Sequence, residues 1–282
     1  MKAKTNNAVV VSDTHCGCEL GLCPPQGAAR SGGGRYTPSK FQRWLWRLWR
    51  DEFWGKFVPI ATAGEPYVVV FNGDAIDGRH HNATTLITGN IAEQSRIFID
   101  CMKAVLTSKC TAVYMTAGTE VHTGLNDEWV EPLARELGVV PDKTGRFIRP
   151  ELYLRLGTKG RHQSLVHVAH HIGSSGVTAY ETTAPHRELV EAMQNAARWR
   201  EEVPTVICRS HRHIPVETRM MTANGYATAV VTGCWQGKTP FVYRLMSGRV
   251  APPQFGGLVI RSGDIDMFTR SAVWSLKRSR AE

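Results

Sequence analysis

The sequence predicts an α/β fold, and two observations predict it. Five short runs rich in β-branched and aromatic residues recur along the chain, at 8–11, 67–71, 111–115, 164–169 and 205–208. Continuous apolar runs of this length read as strands buried on both faces. Most gaps between them leave room for the helical crossover that parallel neighbours require.

Taken in order, the run at 8–11 is followed by a Pro- and Gly-rich stretch at 23–34 and then a predicted helix at about 38–57, which Thr37 or Ser39 can cap. On a helical wheel Phe41, Trp44, Leu45, Leu48 and Trp49 share one side, with Lys40, Arg43, Arg47 and Arg50 opposite. Three roles compete for this helix. It can be a crossover packed on the sheet, a set of stacking platforms beside phosphate-binding charges, or a helix lying on an acidic membrane surface. The first is the usual fate of an amphipathic helix in an α/β domain. Residues from about 16 to 60 thus read as a Pro/Gly-rich insertion plus a Trp-rich helix. Further helices are expected at 127–137, ended by Gly138, and at about 185–200. Beyond them 226–234 and 255–260 read as strands, candidates for a second sheet, and about 275–282 as a solvated basic tail. No linker interrupts the chain, so 1–282 reads as a single domain.

The 282 residues are 42% hydrophobic and 21% charged, which excludes a disordered, collagen-like or disulfide-stapled protein. No uninterrupted apolar stretch approaches the roughly 18 residues of a membrane span. The apolar run at 8–11 is too short for a signal-peptide core, so a cytoplasmic protein is expected. Seven scattered cysteines, an odd count, agree with a reducing compartment. Cys16, Cys18 and Cys23 cluster, yet three thiols without a clear fourth are a weak signal for a structural metal. A net charge of +9 favours a phosphate-bearing partner.

Each apolar run stops at metal-binding residue types: Asp13 and His15, then Asp74 and Asp77, then Glu120 and His122, then His170 and His171, then His211 and His213. Singly, an Asp after a strand reads as a turn or a helix cap. Five such ends in succession are another matter, because ligands in open α/β sheets bind beyond the carboxyl ends of the strands. Carboxylate oxygen and imidazole nitrogen together suit Mn, Fe or Zn.

This ordered set resembles the calcineurin-like metallophosphoesterase superfamily, whose pattern is D-x-H, G-D-x-x-D, G-N-H-D/E, a His, and G-H-x-H. Asp13 and His15 match the first element, and Gly73, Asp74 and Asp77 the second. His170, with His171 as the lesser choice, matches the fourth. His211 and His213 match the fifth, where Ser210 replaces Gly. The third element departs from the pattern, running from Gly118 through Thr119 and Glu120 to His122. That G-T-x-x-H variant and the Trp-rich helix look like a branch found in phage and prophage genomes.

The resemblance implies a sandwich of two mixed β-sheets flanked by helices, with a metal site at the C-terminal ends of the strands. It implies two divalent ions, Mn2+ foremost, with Fe, Zn, Ni or Mg as the others. Asp13, His15 and His213 would hold one ion and His170 and His211 the other, with Asp74 bridging and Asp77 orienting loops and ligands. Thr119 stands where the family has an Asn ligand, so Glu120 or His122 completes the second ion, or that ion binds weakly. Glu120 occupies the place of the family's catalytic His, and His122, two positions later, is the candidate acid for the leaving group. Arg43, Arg47, Arg50 and Arg212 are candidate substrate contacts. The implied activity is hydrolysis of a phosphodiester, as a nuclease or nucleotide phosphodiesterase. The alternative is a catalytically weak or inactive module of the same fold that binds nucleic acid.

Overall fold

Valine and its β-branched relatives suit the pleated backbone, and each of the five apolar runs forms a strand. The computed structural model describes residues 5–30, 32–80, 83–173, 178–223, 225–245 and 252–276. The expected tail lies outside the described residues from 277 onward. In chain order the strands are β1 Asn7–Val11, β2 Ala28–Ala29, β3 Arg35–Tyr36, β4 Tyr67–Asn72, β5 Cys110–Thr116, β6 Ile148–Arg149, β7 Leu152–Leu156 and β8 Ser164–Val168. They continue with β9 Val206–Arg209, β10 Val216–Thr222, β11 Gly225–Val231, β12 Gln254–Phe255, β13 Leu258–Ser262, β14 Met267–Ser271 and β15 Trp274–Ser275. The α-helices are α1 Lys40–Arg47, α2 Val58–Ala61, α3 Ile91–Lys103, α4 Glu120–Thr123, α5 Glu131–Leu137, α6 Thr183–Trp199 and α7 Pro240–Leu245.

The strands form two mixed sheets. The first runs β14-β13-β1-β4-β5-β6, parallel from β1 to β6 and antiparallel at β13 and β14. The second runs β10-β11-β9-β8-β7, parallel at its centre and antiparallel at both edges. The fourth and fifth apolar runs therefore belong to a different sheet from the first three, and the run at 226–234 joins them as β11. The run at 255–260 does not accompany it. Gly256, at φ +147°, breaks that run into β12 and β13, and β13 pairs with β1 in the first sheet. Any side chain at Gly256 would overlap the Ala272 carbonyl.

The pattern of burial explains why the central strands do not alternate in polarity. Ala8, Val10, Val68 and Val70 face Leu154, Val166, Val168 and Val206 in an apolar layer between the sheets. Val9, Val11, Val69 and Phe71 point the other way, into a second cluster formed with the aromatic segment before β4. Leu189 of α6 covers Ile207, Ala227 and Ala229 on the far side. The layers are thus helix, sheet, sheet, helix, and the core strands are buried on both faces.

Ser39 caps α1 in a reciprocal box, its Oγ accepting from Gln42 N at 3.1 Å while Gln42 Oε1 accepts from Ser39 N at 3.2 Å. From Leu48 to Phe57 the helix widens to i→i+5 closure, which aligns residues five apart, and Trp49, Phe53, Trp54 and Val58 are all buried. Trp49 packs edge-on against Trp235 at 4.8 Å and donates from Nε1 to the Cys101 carbonyl at 3.3 Å. These tryptophans are core, as a crossover helix packed on the sheet requires. Arg43, Arg47 and Arg50 are exposed; Arg43 donates to the Pro38 carbonyl at 2.6 Å and Arg50 pairs with Asp51 at 2.6 Å.

Truncating Trp49 to Ala should cost about 3–5 kcal/mol of stability. Changing Arg47 to Gln should cost less than about 0.5 kcal/mol. Urea titrations followed by circular dichroism distinguish the two outcomes.

Candidate metal centre

Parallel pairing of β1 with β4 brings their C-terminal loops together, and the loops then interlock. Asp13 N donates to Gly73 O at 3.1 Å, His15 N to Asp74 O at 3.1 Å and Asp77 N to Cys16 O at 3.0 Å. The second sheet is tied to the first at the same level. Asn72 Nδ2 donates to Ser210 Oγ at 2.7 Å and to Ala169 O at 3.0 Å, and Thr232 Oγ1 lies 2.8 Å from both Ser210 Oγ and Ser12 Oγ. Ser210 is therefore part of the link between sheets.

The backbone here is strained. Of nine non-glycine residues with positive φ among the described residues, five are Asp13, His15, Asp74, His211 and His213. Such conformations cost on the order of 1–3 kcal/mol each and persist where the surroundings over-determine them. Two glycines make room: a side chain at Gly118 would overlap the Asp74 carboxylate, and one at Gly73 the His170 ring.

Two clusters of ligand atoms result. In the first, Asp13 Oδ1 lies 3.2 Å from His213 Nε2 and 4.0 Å from His15 Nε2, and those two nitrogens are 3.3 Å apart. In the second, Asp74 Oδ2 lies 3.1 Å from His170 Nε2 and 3.2 Å from Thr119 Oγ1, which is itself 3.2 Å from His211 Nδ1. Asp13 Oδ1, 3.9 Å from His170 Nε2, connects the two. The Asp13, Asp74 and His170 ligand atoms all lie within 4.8 Å of one another, as do those of His170, His171 and His211.

The residues fit divalent cations on three grounds. Asp13 Oδ1 is buried and accepts no well-directed hydrogen bond, although three imidazole nitrogens face it. The ring tautomers are held from behind: His15 Nδ1 is 3.2 Å from Asp77 Oδ1 and His170 Nδ1 donates to Asn72 O at 2.7 Å, which turns both Nε2 atoms inward. The 3.2–4.0 Å edges of the first cluster also suit ligands held at about 2.0–2.2 Å from one ion.

Charge follows the same geometry. Burial would raise both carboxyls, but His170 and His213 hold Asp13 below its ordinary range, and His170 holds Asp74 well below it. Burial opposes a charge on His170, yet Asp74 and Asp13 raise it to about 9. His213 is likewise pushed well above its ordinary value, against burial, by the Cys234 sulfur and the Asp13 carboxylate. Burial, with His170 adding repulsion, lowers both His171 and His211. The two lowered carboxyls and the two raised imidazoles thus stabilise one another's charged forms.

Thr119 enters the second cluster directly, and its N–H also donates to Asp74 Oδ1 at 2.7 Å. Glu120 is exposed, and neither the ligand clusters nor the adjoining cavity includes it. His122 is present, its Nδ1 2.6 Å from the Asp77 carbonyl and its ring 4.6 Å from that of His15. Burial, then the charge of His15, pushes His122 down to about 4. At that value the ring is neutral near pH 7. Asp77 collects His15, His80 at 3.3 Å and Gln236 at 3.1 Å, and hydrogen bonds from the two histidines keep it charged despite burial.

A cavity of about 380 Å³ opens on the clusters, lined on this side by His15, Asp74, Asp77, Thr119, His122, His211, Arg212 and His213. Arg43, Arg47 and Arg50 are not among its lining residues. His80, Gln236 and Cys234 escaped the sequence reading. For His80 a signal existed, three residues past Asp77; for the other two, far from any motif, none did. The Cys16, Cys18 and Cys23 thiols are buried and free and join no ligand cluster among the described residues, and burial pushes Cys18 and Cys23 up to about 12.

Neither family profiles nor the sequences of curated proteins match this chain. Among solved structures it is similar to a conserved protein described as a predicted phosphoesterase from Streptococcus pneumoniae TIGR4, at 10% identity over 95% of this chain and 98% of that one, TM-score 0.34. It is also similar to Vacuolar Protein Sorting 29 from Cryptosporidium parvum, at 11% identity over 97% and 100%, TM-score 0.37. A Vps29 double mutant from Entamoeba histolytica matches at 12% identity over 95% and 99%, TM-score 0.36. The superpositions are loose, and the fold stands on the strand order given above.

Changing Gly118 to Ala should weaken Mn2+ binding at least about tenfold in calorimetry, because the Asp74 carboxylate must move. The raised His170 also sets a pH trend. Its folded value of about 9 exceeds the unfolded value of about 6.5, so its stabilisation is complete below about pH 6.5 and fades as pH rises to about 9. The melting temperature of chelator-treated protein should fall across that window, and His170→Asn should flatten that part of the slope.

Proposed function

We propose that this chain is a divalent-metal-dependent phosphoesterase that hydrolyses phosphodiesters, with a nucleotide or nucleic acid as substrate. The observation that carries this reading is the pair of ligand clusters, joined through Asp13 and Asp74, on the wall of a cavity open to a small ester.

In this reading Asp13, His15 and His213 would hold one ion and His170, His211 and Thr119 the other, with Asp74 within reach of both groups. Oxygen and imidazole donors favour Mn2+, with Fe, Zn, Ni and Mg as competitors. Bound there, divalent ions supply Lewis-acid polarisation of the phosphoryl group and a water of lowered pKa. The chain's own residues do the rest. Asn72 O and Asp77 keep His170 and His15 in the tautomers that present Nε2, and Arg212 lines the cavity as a fixed cation for the non-bridging oxygens. His122 lines the cavity with Nδ1 hydrogen-bonded to the Asp77 carbonyl and is the candidate acid for the leaving group. The G-T-x-x-H stretch at 118–122 supports a phage or prophage branch, with the bacterial or infected cytoplasm as its place of action.

A binding module without turnover is the second reading, favoured by the Thr119 hydroxyl in the place of an amide ligand and by the low basicity of His122. Hydrolysis of bis-p-nitrophenyl phosphate with Mn2+ separates the two. The enzyme reading expects Asp74→Asn to lower kcat/KM by more than about a hundredfold; equal residual rates in both proteins select the binding module.

A further inference from the structure

The second sheet ends on a strand whose sequence is complementary to itself. β10 pairs with β11 on one side only and forms the edge of the sheet among the described residues. Thr222 pairs with Gly225 across a two-residue connection, so that pair exchanges backbone hydrogen bonds and the antiparallel alternation runs back from it. Thr218 and Met220 therefore bond to β11, while the N–H and C=O groups of Glu217 and Arg219 point outward. The side chains of Glu217, Arg219 and Met221 are exposed. An outward row of backbone donors and acceptors is a template for another strand, and charged side chains usually blunt it. Here the order of the charges does the opposite. Of the edge strands β6, β7, β10 and β14 of the two large sheets, only β10 carries both a carboxylate and a guanidinium.

We propose that β10 is the contact of a two-fold homodimer, pairing antiparallel with β10 of a second copy about an axis at Thr218. That register sets Glu217 opposite the partner's Arg219, and Arg219 opposite the partner's Glu217. It sets Val216 opposite the partner's Met220 on the face toward α6, where Met220 already packs against the cluster of Leu189 and Ile207. Thr218 meets its own copy at the axis. Opposite charges, apolar side chains and paired threonines each stabilise a ladder when they stand directly across from one another. Moving the axis one residue, to Arg219, would oppose like charges and set Thr218 against Met220, so charge selects the register. Within one chain Arg219 Nη2 lies 2.6 Å from Glu217 Oε1, and Thr269 Oγ1 of β14 donates to the same oxygen at 3.0 Å. Both charged groups are thus held on one face of the edge, and a second copy closes a ring of four alternating charges. Pro215, with no N–H to donate, ends the ladder. The contact is short, so the dimer forms and dissociates with protein concentration.

Sedimentation velocity on the full chain compares the parent protein with Glu217→Arg, with Arg219→Glu and with an equimolar mixture of the two variants. The parent should dimerise, and either reversal alone should weaken dimerisation at least about tenfold, because like charges then face each other across the axis. The mixture should recover the dimer, since the basic strand of one variant meets the acidic strand of the other. A change confined to one chain cannot produce that recovery. If circular dichroism shows that a reversal unfolds the chain, Glu217→Gln and Arg219→Gln give the same reading with a loss of about threefold. A parent protein that stays monomeric up to about 100 µM overturns the inference. So does a dimer that none of these changes weakens, or a mixture of folded variants no more associated than its components.

Discussion

Two carboxylates, Asp13 and Asp74, are buried side by side where the ends of two β-sheets meet. Like charges that close and that dry are costly unless opposite charge surrounds them. The chain answers with imidazoles drawn from both sheets: His15 after β1, His170 after β8, and His211 and His213 after β9. Much else at this end of the molecule follows from that requirement, including the interlocked loops after β1 and β4 and the hydroxyl network of Ser12, Ser210 and Thr232 that joins the sheets.

The same requirement explains where backbone strain is concentrated. Left-handed conformations at Asp13, His15, Asp74, His211 and His213 aim side chains from different strands at one volume. Their combined cost is tolerable because the strands behind them are locked by burial on both faces, between the inter-sheet layer and the helical layers. A rigid scaffold beneath strained ends is the arrangement that holds ligand atoms close together.

The fold was legible where local chemistry and environment agree. Runs of valine marked β1 and β4 because strands buried on both faces need no polar alternation. Gly138, in the left-handed conformation at φ +75°, ended α5 as read. Helix α3 was not anticipated, although Asn90 caps it by accepting from Ala92 N at 2.9 Å; its apolar residues are interspersed with Glu93, Gln94 and Arg96. The widened turns at Leu48–Phe57 and the assignment of β8 and β9 to a second sheet depend on tertiary packing, which periodicity does not encode. At the site, the strand-end pattern named most of the residues that converge. It did not show that Glu120 turns outward while Thr119 turns in, because one residue's difference in loop direction decides that. Gln236 and Cys234 lie far along the sequence from every motif, and only folding brings them to the site.

A metal-dependent hydrolase of phosphate esters is the function this arrangement supports best, and its central claim concerns position. The most direct measurement is anomalous diffraction from crystals grown with Mn2+. The account predicts two anomalous peaks flanking the Asp74 carboxylate, one beside Asp13, His15 and His213 and the other beside His170 and His211. Peaks elsewhere on the surface, or no peak near Asp74 at millimolar Mn2+, would contradict it.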